Sequence, residues 1–244
     1  MTLQDALEIR RSRRKYVPEP LEPSAAATLR ELIDELGGKE NLDIRLVVDN
    51  GDAFKGFRKS YGMFTGVRNY LGLIGNKGDY LNSEKLGYYG ELLVLHATAL
   101  GLGTCWVAGT FDRAACPFDL SEDETVICAI TVGRVPDELS GKEKLIRVMT
   151  HRKTKTIEQM CTSGVPLPDW FISGMNAVMV APSAVNRQPV MFTYRDGSVS
   201  ASVKDISGEM LALDLGIAKL HFELGAGGGK WDFGSGAAFV RKTE

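Results

Sequence analysis

The most distinctive chemical feature of the sequence is a basic segment, RRSRRK, at residues 10 to 15. Five of its six residues are cations, and the remaining one is a serine. Guanidinium groups and a hydroxyl supply many hydrogen-bond donors in fixed geometry, which suits the oxygens of a terminal phosphate dianion. A solvated basic helix end, or a nonspecific contact with an anion, is the alternative interpretation of this segment.

A second polar segment, APSAVNRQP, occupies residues 181 to 189. Pro182 stiffens the chain, Ser183 and Asn186 offer side-chain donors and acceptors, and Gln188 precedes a strand-like stretch. Such a loop suits recognition of the polar edge of a planar heterocycle. The same residue types also suit an ordinary capped loop, so this interpretation needs support from elsewhere in the chain.

Other motifs with known chemistry are absent from the sequence. GLGTCWVAG is not a dinucleotide-binding fingerprint, because Trp106 stands at the third glycine position and the run follows a predicted helix. GAGGGKWDFG is not a phosphate loop, because Trp231 replaces the Ser or Thr after Lys230. The three histidines share no metal-ligand spacing, and no G-x-S-x-G elbow occurs. If the protein is an enzyme, a cofactor is expected to carry the reaction.

The composition is that of an ordinary globular protein. The chain has 244 residues, of which 44% are hydrophobic and 25% charged, with a net charge of −2. This acidic balance disfavours a dedicated nucleic-acid binder. No signal peptide and no membrane-spanning stretch is expected. Four scattered cysteines without paired spacing indicate reduced thiols and favour a cytoplasmic location.

Hydrophobic periodicity and capping residues predict the elements that position the two polar segments. The predicted helices span residues 3–11, 24–38, 83–103, 169–180 and 209–227, and the predicted strands span 44–49 and 125–133. The stretch VMFTYRDGSVSASV predicts a hairpin, since its Asp-Gly pair suits a tight turn. The region from 52 to 83 is weakly periodic and receives no assigned element.

The sequence also carries signs of an internal duplication. ALGLGTCWVAG and ELGAGGGKWDFG each place Leu-Gly-x-Gly at the end of a long apolar helix, with a tryptophan shortly after. The proline-bounded stretch CTSGVPLPDW is the candidate boundary, which predicts two unequal halves, 1–160 and 165–244. Two unrelated helices that share glycine-rich C-caps would give the same pattern, so that alternative stays open.

Taken together, these stretches resemble the nitroreductase family of FMN-dependent oxidoreductases. The matching stretches are EIRRSRRKYVPEPL, APSAVNRQPVMF, ALGLGTCWVAG and VGRVPDELSGKEKLIRVMTHRKTKTIEQM. The resemblance implies an α/β (α+β) fold, with a mostly antiparallel sheet flanked by long helices. It also implies FMN at a subunit interface, where an Arg/Ser cluster holds the phosphate and a Pro-Ser-x-x-Asn loop can come from the other subunit.

The two family motifs are divided between the halves of this sequence. The Arg/Ser cluster occurs in the first half and the Pro-Ser-x-x-Asn loop in the second, and each half lacks what the other keeps. In this respect the chain resembles the single-chain, tandem-repeat type of nitroreductase. The resemblance implies a pseudo-dimer within one chain that builds one FMN site rather than two.

The resemblance also implies roles for individual residues. The residues expected at the FMN phosphate and ribityl chain are Arg10, Arg11, Ser12 and Arg14, with Arg152, Lys153 and Lys155 completing the phosphate site. The residues expected at the flavin ring are Pro182, Ser183, Asn186 and Gln188 at its edge, and Val107, Ala108 and Gly109, whose backbone amides approach N5. Ala108 departs from the acidic residue that some members carry there, which implies a different substrate preference.

The implied reaction passes a hydride from NAD(P)H to FMN and then to an electron-poor acceptor such as a nitroaromatic or a quinone. No side chain is expected to be catalytic, because the flavin carries the chemistry. The expected partner is a small molecule, with no nucleic acid, no membrane and no metal. A monomer is expected, and further association stays open. The alternatives are a non-catalytic protein that binds, stores or senses FMN, and a contact of RRSRRK with an acidic partner.

Overall fold

The computed structural model of the chain describes residues 1–55, 62–150, 154–195, 197–205 and 208–242. The chain divides into two compact units. Unit 1 comprises Met1–Lys77 and Leu93–Met149, and unit 2 comprises Gly78–Leu92 and Thr150–Glu244. Each unit contains one β-sheet together with helices, so the mixed α/β (α+β) fold expected from the sequence is confirmed.

Unit 1 contains a four-stranded antiparallel sheet. Its strands are β1 (Asp43–Val47), β2 (Tyr70–Asn76), β3 (Gly103–Val107) and β4 (Glu124–Gly133). They lie in the order β1-β2-β4-β3, so that β3 forms an edge. β4 lies inside the sheet and is buried along most of its length, as its run of apolar residues predicts.

Two strands of this sheet, β2 and β3, lie where the sequence pattern assigns none. β2 is buried on both faces, so it lacks the polar-apolar alternation by which a strand is recognised. Its Gly72 interrupts the run of β-forming residues, yet a Cβ there would lie 2.3 Å from the ring of Phe118. β3 begins at Gly103, which the sequence pattern places at the end of the predicted helix 83–103. Both strands are stabilised by packing against distant residues, which the periodicity of a sequence does not reveal.

The first helix is shorter than predicted. α1 (Leu3–Ile9) begins at a capping box formed by Thr2 and Asp5. It ends at Ile9 rather than at residue 11, because Arg10 already has an extended backbone with φ of −51° and ψ of 131°. The basic segment therefore follows the helix instead of completing it.

The second helix is longer than predicted. α2 (Pro23–Glu40) begins with proline, whose fixed φ suits the first helical turn. It continues through Gly37 and Gly38 and ends at Asn41, which adopts the left-handed conformation with φ of 55°. The predicted helix ends at the two glycines, but in the structure Asn41 is the C-terminal cap.

Unit 2 contains a five-stranded sheet. Its strands are β5 (Cys161–Ser163), β6 (Met191–Arg195), β7 (Ser198–Ser202), β8 (Gly229–Trp231) and β9 (Ala238–Arg241). They lie in the order β5-β6-β7-β9-β8; β5 pairs with β6 in parallel, and the other neighbours are antiparallel. β6 and β7 form the predicted hairpin, which turns at Gly197 with φ of 82°.

The remaining helices are α3 (Tyr80–Ala99), which contributes residues to both units, α4 (Gly141–Thr150) in unit 1 with its last residue in unit 2, and α5 (Ile157–Met160), α6 (Asp169–Val180) and α7 (Glu209–Gly225) in unit 2. Three of them correspond to the predicted helices 83–103, 169–180 and 209–227, and two, α4 and α5, lie where none was predicted. Gly101 follows α3 with φ of 80°, and Gly227 follows α7 with φ of 85°. Both helices are therefore followed by left-handed glycines, as the C-cap interpretation of the two glycine runs predicts.

α7 is the central helix of unit 2. Its buried residues run around the whole helix from Ala212 to Phe222, as an all-round apolar sequence predicts. The ring of Phe222 lies 5.2 Å from Phe171 and 5.1 Å from Phe192, centre to centre. Gly216 lets α3 approach closely, because a Cβ there would lie 1.9 Å from the carbonyl oxygen of Glu84.

Candidate functional site

The basic segment at residues 10 to 15 follows α1 and is joined by isolated β-bridges to the edge strand β3 and to Thr65. Ser12 forms a β-bridge with Thr104, and the Arg13 amide donates to the Thr104 carbonyl over 2.8 Å. A second bridge joins Lys15 to Thr65, whose amide donates to the Arg14 carbonyl over 2.9 Å. The segment is thus held on two sides by backbone hydrogen bonds.

The segment is not a regular strand, since the consecutive amides of Arg14 and Lys15 both donate to one oxygen of Glu143. Arg10, Ser12 and Arg14 nevertheless share one face, the side on which the thiol of Cys105 lies. Their common surroundings are visible at the thiol of Cys105. Burial raises the pKa of that thiol, while the guanidinium of Arg14, the hydroxyl of Ser12 and the guanidinium of Arg10 act in the opposite direction. Three residues expected at the phosphate therefore lie together.

Arg13 points to the opposite face and is committed to the protein interior. It is 8% exposed. Its Nε donates to Glu143 Oε1 over 3.2 Å, and its Nη2 donates to the carbonyl of Pro136 over 2.7 Å and to that of Glu138 over 3.2 Å. No role for Arg13 is expected from the sequence. In the structure its three hydrogen bonds attach the basic segment to the interior of unit 1, and we call Arg13 the anchor of the segment.

Glu143 receives hydrogen bonds from both sides of this anchor. Its Oε1 accepts from the amides of Arg14 at 2.7 Å and Lys15 at 3.2 Å, besides the Arg13 guanidinium. Its Oε2 accepts from the amide and the hydroxyl of Ser140, each at 2.8 Å. Burial alone would raise the pKa of Glu143, but the hydrogen bonds from the Arg14 and Ser140 amides lower it to about 2. The carboxylate is therefore ionised at neutral pH.

Sequence reasoning could have found Glu143 only in part. The pattern Ser140-x-x-Glu143 is a capping-box signature, and it does open α4 (Gly141–Thr150). Nothing in the sequence indicates that the same carboxylate reaches a backbone segment some 130 residues earlier. That relationship exists only in the folded chain.

One donor on the shared face of Arg10, Ser12 and Arg14 is buried without a partner among the described residues. It is the Nε of Arg14. Leaving a buried N–H unsatisfied costs roughly 1–3 kcal/mol, so an anion that accepts from it would be stabilised. The donor set on this face, guanidinium groups and one hydroxyl, has the chemistry that a phosphate monoester requires. These residues fit the phosphate of FMN.

Arg11 lies apart from that face. Its side chain is exposed, and its Nη1 donates to the carbonyls of Glu8 at 2.8 Å and Arg10 at 2.9 Å. These carbonyls belong to the end of α1, where a cation is favourable. Arg152 and Lys153, two of the late basic residues expected at the phosphate, lie outside the described residues.

Val107, Ala108 and Gly109 lie where β3 ends and the chain bends. Val107 pairs with Ala129 of β4. The carbonyl of Ala108 accepts from Arg113 Nη2 at 2.6 Å. Because a trans peptide is planar, its C=O and N–H point in opposite directions, so this bond turns the Gly109 amide away from Arg113.

The Gly109 position is open. A Cβ added there would meet no atom within 4 Å, and the residue is exposed. A ligand could therefore approach this amide closely. Arg113, which fixes the peptide group, also donates from Nε to the carbonyl of Val126 at 2.8 Å. No signal in the sequence distinguishes Arg113 from other surface arginines, so sequence reasoning misses it.

In unit 2, the loop at residues 181 to 189 contains several residues in the left-handed region. Val185, Asn186 and Gln188 have φ of 45°, 53° and 46°. This conformation is unfavourable for a β-branched residue such as Val185. Non-glycine residues in such conformations cost of order 1–3 kcal/mol each and concentrate at functional sites. The loop is therefore a specific structure held by its surroundings rather than an ordinary connection.

Gln188 is the centre of the hydrogen bonds that hold this loop. Its amide N–H donates to Ser183 Oγ at 3.0 Å, and its Nε2 donates to the Met179 carbonyl at 3.2 Å. Its Oε1 accepts from the Lys155 amide at 2.9 Å, and its carbonyl accepts from Lys155 Nζ at 2.8 Å. The structure thus brings Ser183, Gln188 and Lys155 together, with Asn186 half-buried in the same loop.

A buried carboxyl on α7 also supports the loop. Both oxygens of Asp214 lie near the Ala184 amide, at 3.2 and 3.3 Å. A cavity of about 10 Å³, lined in part by Pro182, Ser183, Gln188 and Asp214, lies beside them. Burial raises the pKa of Asp214 to about 7, against the Ala184 hydrogen bond and the charge of Arg187. A lone aspartate within the apolar stretch LALDLGIAKL is the sequence signal that could have found it.

Both ring nitrogens of His221 are in contact with protein groups, so this side chain does not offer a free position to a metal ion. The two ring nitrogens of His221 lie 3.0 Å from the Ala177 carbonyl and 3.0 Å from Glu91 Oε1, and the residue is fully buried. Across the described residues, no group of three or more His, Cys, Asp or Glu side chains could hold a metal ion. None of the helices in the described part of the chain is long and apolar enough to cross a membrane.

One of the solved structures to which this chain is similar supports the fold over nearly its whole length. The chain superimposes on a protein described as a "putative nitroreductase" from Thermotoga maritima MSB8 with a TM-score of 0.66, at 20% identity, covering 98% of this chain and 92% of that one. An FMN-dependent nitroreductase from Clostridium difficile R20291 matches with a TM-score of 0.43, at 19% identity, over 61% of this chain and 97% of that one. A nitroreductase with bound FMN from Bacteroides fragilis NCTC 9343 matches with a TM-score of 0.42, at 14% identity, over 57% and 91%.

No curated protein matches the sequence. A family model does, and it covers residues 2–226. Its description is "Putative TM nitroreductase", which names a type of oxidoreductase. The resemblance seen in the sequence motifs is thereby confirmed, and the chain belongs to this nitroreductase family.

Proposed function

We propose that the protein is an FMN-dependent oxidoreductase that uses NAD(P)H to reduce an electron-poor acceptor such as a nitroaromatic or a quinone. The observation that carries this proposal is the shared face of Arg10, Ser12 and Arg14, on which the buried Arg14 Nε has no partner among the described residues. Membership of the family supports the oxidoreductase role. When bound, FMN supplies the hydride chemistry.

In this proposal, Arg10, Ser12 and Arg14 bind the FMN phosphate. Two guanidinium groups balance the charge of a phosphate dianion, and the Ser12 hydroxyl adds a donor between them. Removal of one charged partner from such a contact would cost about 2 kcal/mol or more, which is roughly a thirtyfold loss of affinity. Arg11 takes part only as an outer charge, since its guanidinium lies on the carbonyls at the end of α1.

The proposed contacts to the flavin ring are of two kinds. The Gly109 amide, oriented by the bond from Arg113 to the Ala108 carbonyl, donates to the ring near N5. Pro182, Ser183 and Asn186 meet the polar edge of the ring, while Gln188 and Lys155 hold the shape of their loop. Val107 ends the strand that supports the first contact. Donors fixed before the ring binds stabilise the electron density that builds up on it during reduction.

The proposal of a single FMN for each chain rests on the sequence. The Arg/Ser cluster is found in the first half and the Pro-Ser-x-x-Asn loop in the second, so each half supplies what the other lacks. We propose that both motifs serve one flavin, in a monomer that is a pseudo-dimer of two unequal halves. A cytoplasmic location is likewise a proposal, based on four scattered cysteines without paired spacing.

The binding part of the proposal is tested by titrating the flavin-free protein with FMN and with riboflavin, which lacks the phosphate. We expect saturation at one FMN for each chain and a clear preference for FMN. Arg14→Ala should weaken FMN binding roughly thirtyfold. Asn186→Ala should also weaken it, while Arg30→Ala, which removes an exposed arginine of α2, should not. Saturation at two FMN would refute the single site, and no preference for FMN over riboflavin would refute the phosphate role.

The catalytic part is tested by mixing the FMN-loaded protein with NADH or NADPH under anaerobic conditions. Bleaching of the flavin absorbance, followed by its return when a quinone or nitroaromatic is added, would support turnover. A bound flavin that neither nucleotide bleaches would leave the alternative, a non-catalytic FMN-binding, storage or sensing protein. The same experiment decides between NADH and NADPH.

A further inference from the structure

The Glu143 carboxylate accepts five hydrogen bonds and lies directly behind the proposed phosphate site. Three donors belong to the basic segment, namely the Arg13 guanidinium and the amides of Arg14 and Lys15, at 2.7–3.2 Å. The other two belong to Ser140. Glu143 is only 3% exposed, so these contacts are made away from solvent. One side chain thus fixes two consecutive peptide groups of the segment that carries Arg10, Ser12 and Arg14.

We propose that Glu143, with Arg13 as its counter-ion, is a positioning residue that gives the site its preference for a phosphorylated flavin. This inference rests on the proposed function. Arg14 is held at its own amide by Glu143 and at its carbonyl by Thr65, at 2.9 Å. With its backbone fixed on both sides, its guanidinium loses little freedom when an anion binds. The donors are in this way arranged before the ligand arrives.

Charge and position make opposite predictions about Glu143, which allows them to be separated. The carboxylate is paired with Arg13, so the pair contributes little net charge to a phosphate nearby. Glu143→Gln leaves the Arg13 cation unbalanced and makes the region more positive, which by electrostatics alone would strengthen phosphate binding. The same change replaces one acceptor oxygen with an NH2 group that can only donate, so the side chain can no longer accept from the segment and from the Ser140 amide together, and its hold on the segment is weakened. Weaker binding therefore indicates positioning.

The test compares FMN and riboflavin as ligands of the flavin-free full chain, because riboflavin has the same ring without the phosphate. For Glu143→Gln we expect the dissociation constant of FMN to rise about tenfold or more. The dissociation constant of riboflavin should change less than about threefold. This difference would show that only the contacts to the phosphate are lost. Ser140→Ala, which removes one donor and keeps the carboxylate, should shift FMN in the same direction by a smaller factor. Asp137→Asn is the matched control, because its exposed side chain carries the same charge in the same loop; its FMN affinity should equal that of the wild type.

Two results would overturn the inference: FMN affinity equal to or above that of the wild type in Glu143→Gln, or equal losses for FMN and riboflavin. If Glu143→Gln does not fold, as judged by its circular dichroism, Glu143→Asp takes its place. That variant keeps the charge but retracts the carboxylate, and the same selective loss is expected. The proposed function is judged separately on the wild type, because absence of FMN preference there refutes the phosphate site before any variant is measured.

Discussion

Arg113 and Ala108 are joined by a hydrogen bond of 2.6 Å between the guanidinium Nη2 and the carbonyl oxygen. The guanidinium also reaches the Val126 carbonyl of β4 at 2.8 Å, so it connects the bend after β3 to the interior of the sheet. Arg113 reaches the two carbonyls from different nitrogens, Nε and Nη2, whereas the ammonium of lysine is a single point donor and has no group at the position of Nε. In the proposed enzyme, this bond orients the Gly109 amide.

We therefore predict that Arg113→Lys slows reduction of the bound flavin by NAD(P)H about ten- to hundredfold, since small misplacements at a reacting centre have large effects on rate. FMN affinity should change little, because the phosphate contacts remain. Stopped-flow reduction of the FMN-loaded variant gives the rate, and flavin titration gives the affinity. Arg134→Lys, at an exposed arginine paired with Glu19, is the control. A wild-type reduction rate in Arg113→Lys would contradict the assigned role.

Asp214 predicts a dependence of stability on pH. Burial raises its pKa from 3.8 to about 7, so the folded state binds a proton that the unfolded state has already released. Between about pH 4 and pH 7 the free energy of unfolding should therefore fall as pH rises, by roughly 4 kcal/mol as an upper limit. Above pH 7 this contribution should be constant.

Asp214→Asn should remove that dependence. The amide keeps an oxygen that can accept from the Ala184 N–H but cannot ionise. The variant should exceed the wild type slightly in stability at pH 5 and by its full margin at pH 8, as measured by urea denaturation at both values. Asp205→Asn removes an exposed carboxylate and should leave the profile unchanged. Equal pH slopes for the wild type and Asp214→Asn would show that the carboxyl titrates normally.

A buried ion pair in unit 2 should be sensitive to the loss of either partner. Lys219 Nζ lies 2.5 Å from Glu84 Oε1 and donates to the carbonyls of Asp232 at 2.9 Å and Gly234 at 3.0 Å, and both charged residues are buried. Lys219→Met would leave the Glu84 charge buried and unpaired. We expect it to lower the free energy of unfolding by about 3–5 kcal/mol.

Thermal and urea denaturation measure this loss. Lys230→Met, which changes an exposed lysine of β8, should stay within about 0.5 kcal/mol of the wild type. Replacing both partners, Glu84→Leu with Lys219→Met, should recover part of the loss, because it removes the unpaired charge. If the double variant is less stable than Lys219→Met, the two apolar side chains do not pack in the space of the ion pair, and the prediction is wrong.

Val185 should be a position where glycine stabilises the protein. Its φ of 45° is unfavourable for a β-branched residue, and its side chain is 51% exposed, so little packing is lost on truncation. Relief of the left-handed conformation outweighs the added freedom of glycine in the unfolded chain, and we expect a gain of about 1 kcal/mol.

The measurement is the melting temperature of Val185→Gly beside that of Val165→Gly. Val165 is similarly exposed, at 46%, but its φ is not in the left-handed region, so glycine there should lower stability slightly. A loss of stability in both variants would indicate that Val185 makes contacts that compensate for its backbone.

The sequence predicts those parts of the molecule that depend on neighbouring residues. The helix 169–180, the hairpin turning at Gly197 and the buried strand β4 follow from periodicity and turn chemistry and are confirmed. β2 is not predictable in this way, because burial on both faces removes alternation and Gly72, which lies against the ring of Phe118, interrupts the run of β-forming residues.

The candidate site shows the same division between local and distant information. Residue types identify the basic segment, but what separates Arg13 from its neighbours is a contact with Glu143, 130 residues later in the chain. Glu143 and Arg113 act through contacts with distant or backbone groups, which no local pattern encodes. Asp214 lies between these cases, since a lone carboxylate in an apolar helix is visible in the sequence but its loop partner is not.

The contact between the basic segment and β3 also affects how the protein behaves in solution at high concentration. β3 is the edge strand of its sheet, and an uncovered edge offers unpaired backbone groups on which strands of other molecules can add. Residues 12 and 13 cover part of that edge with a short stretch rich in cations, whose charges repel a second copy of the same segment. A chain without residues 1 to 16 should therefore self-associate through β3, measurable as concentration-dependent light scattering, whether or not a flavin is present.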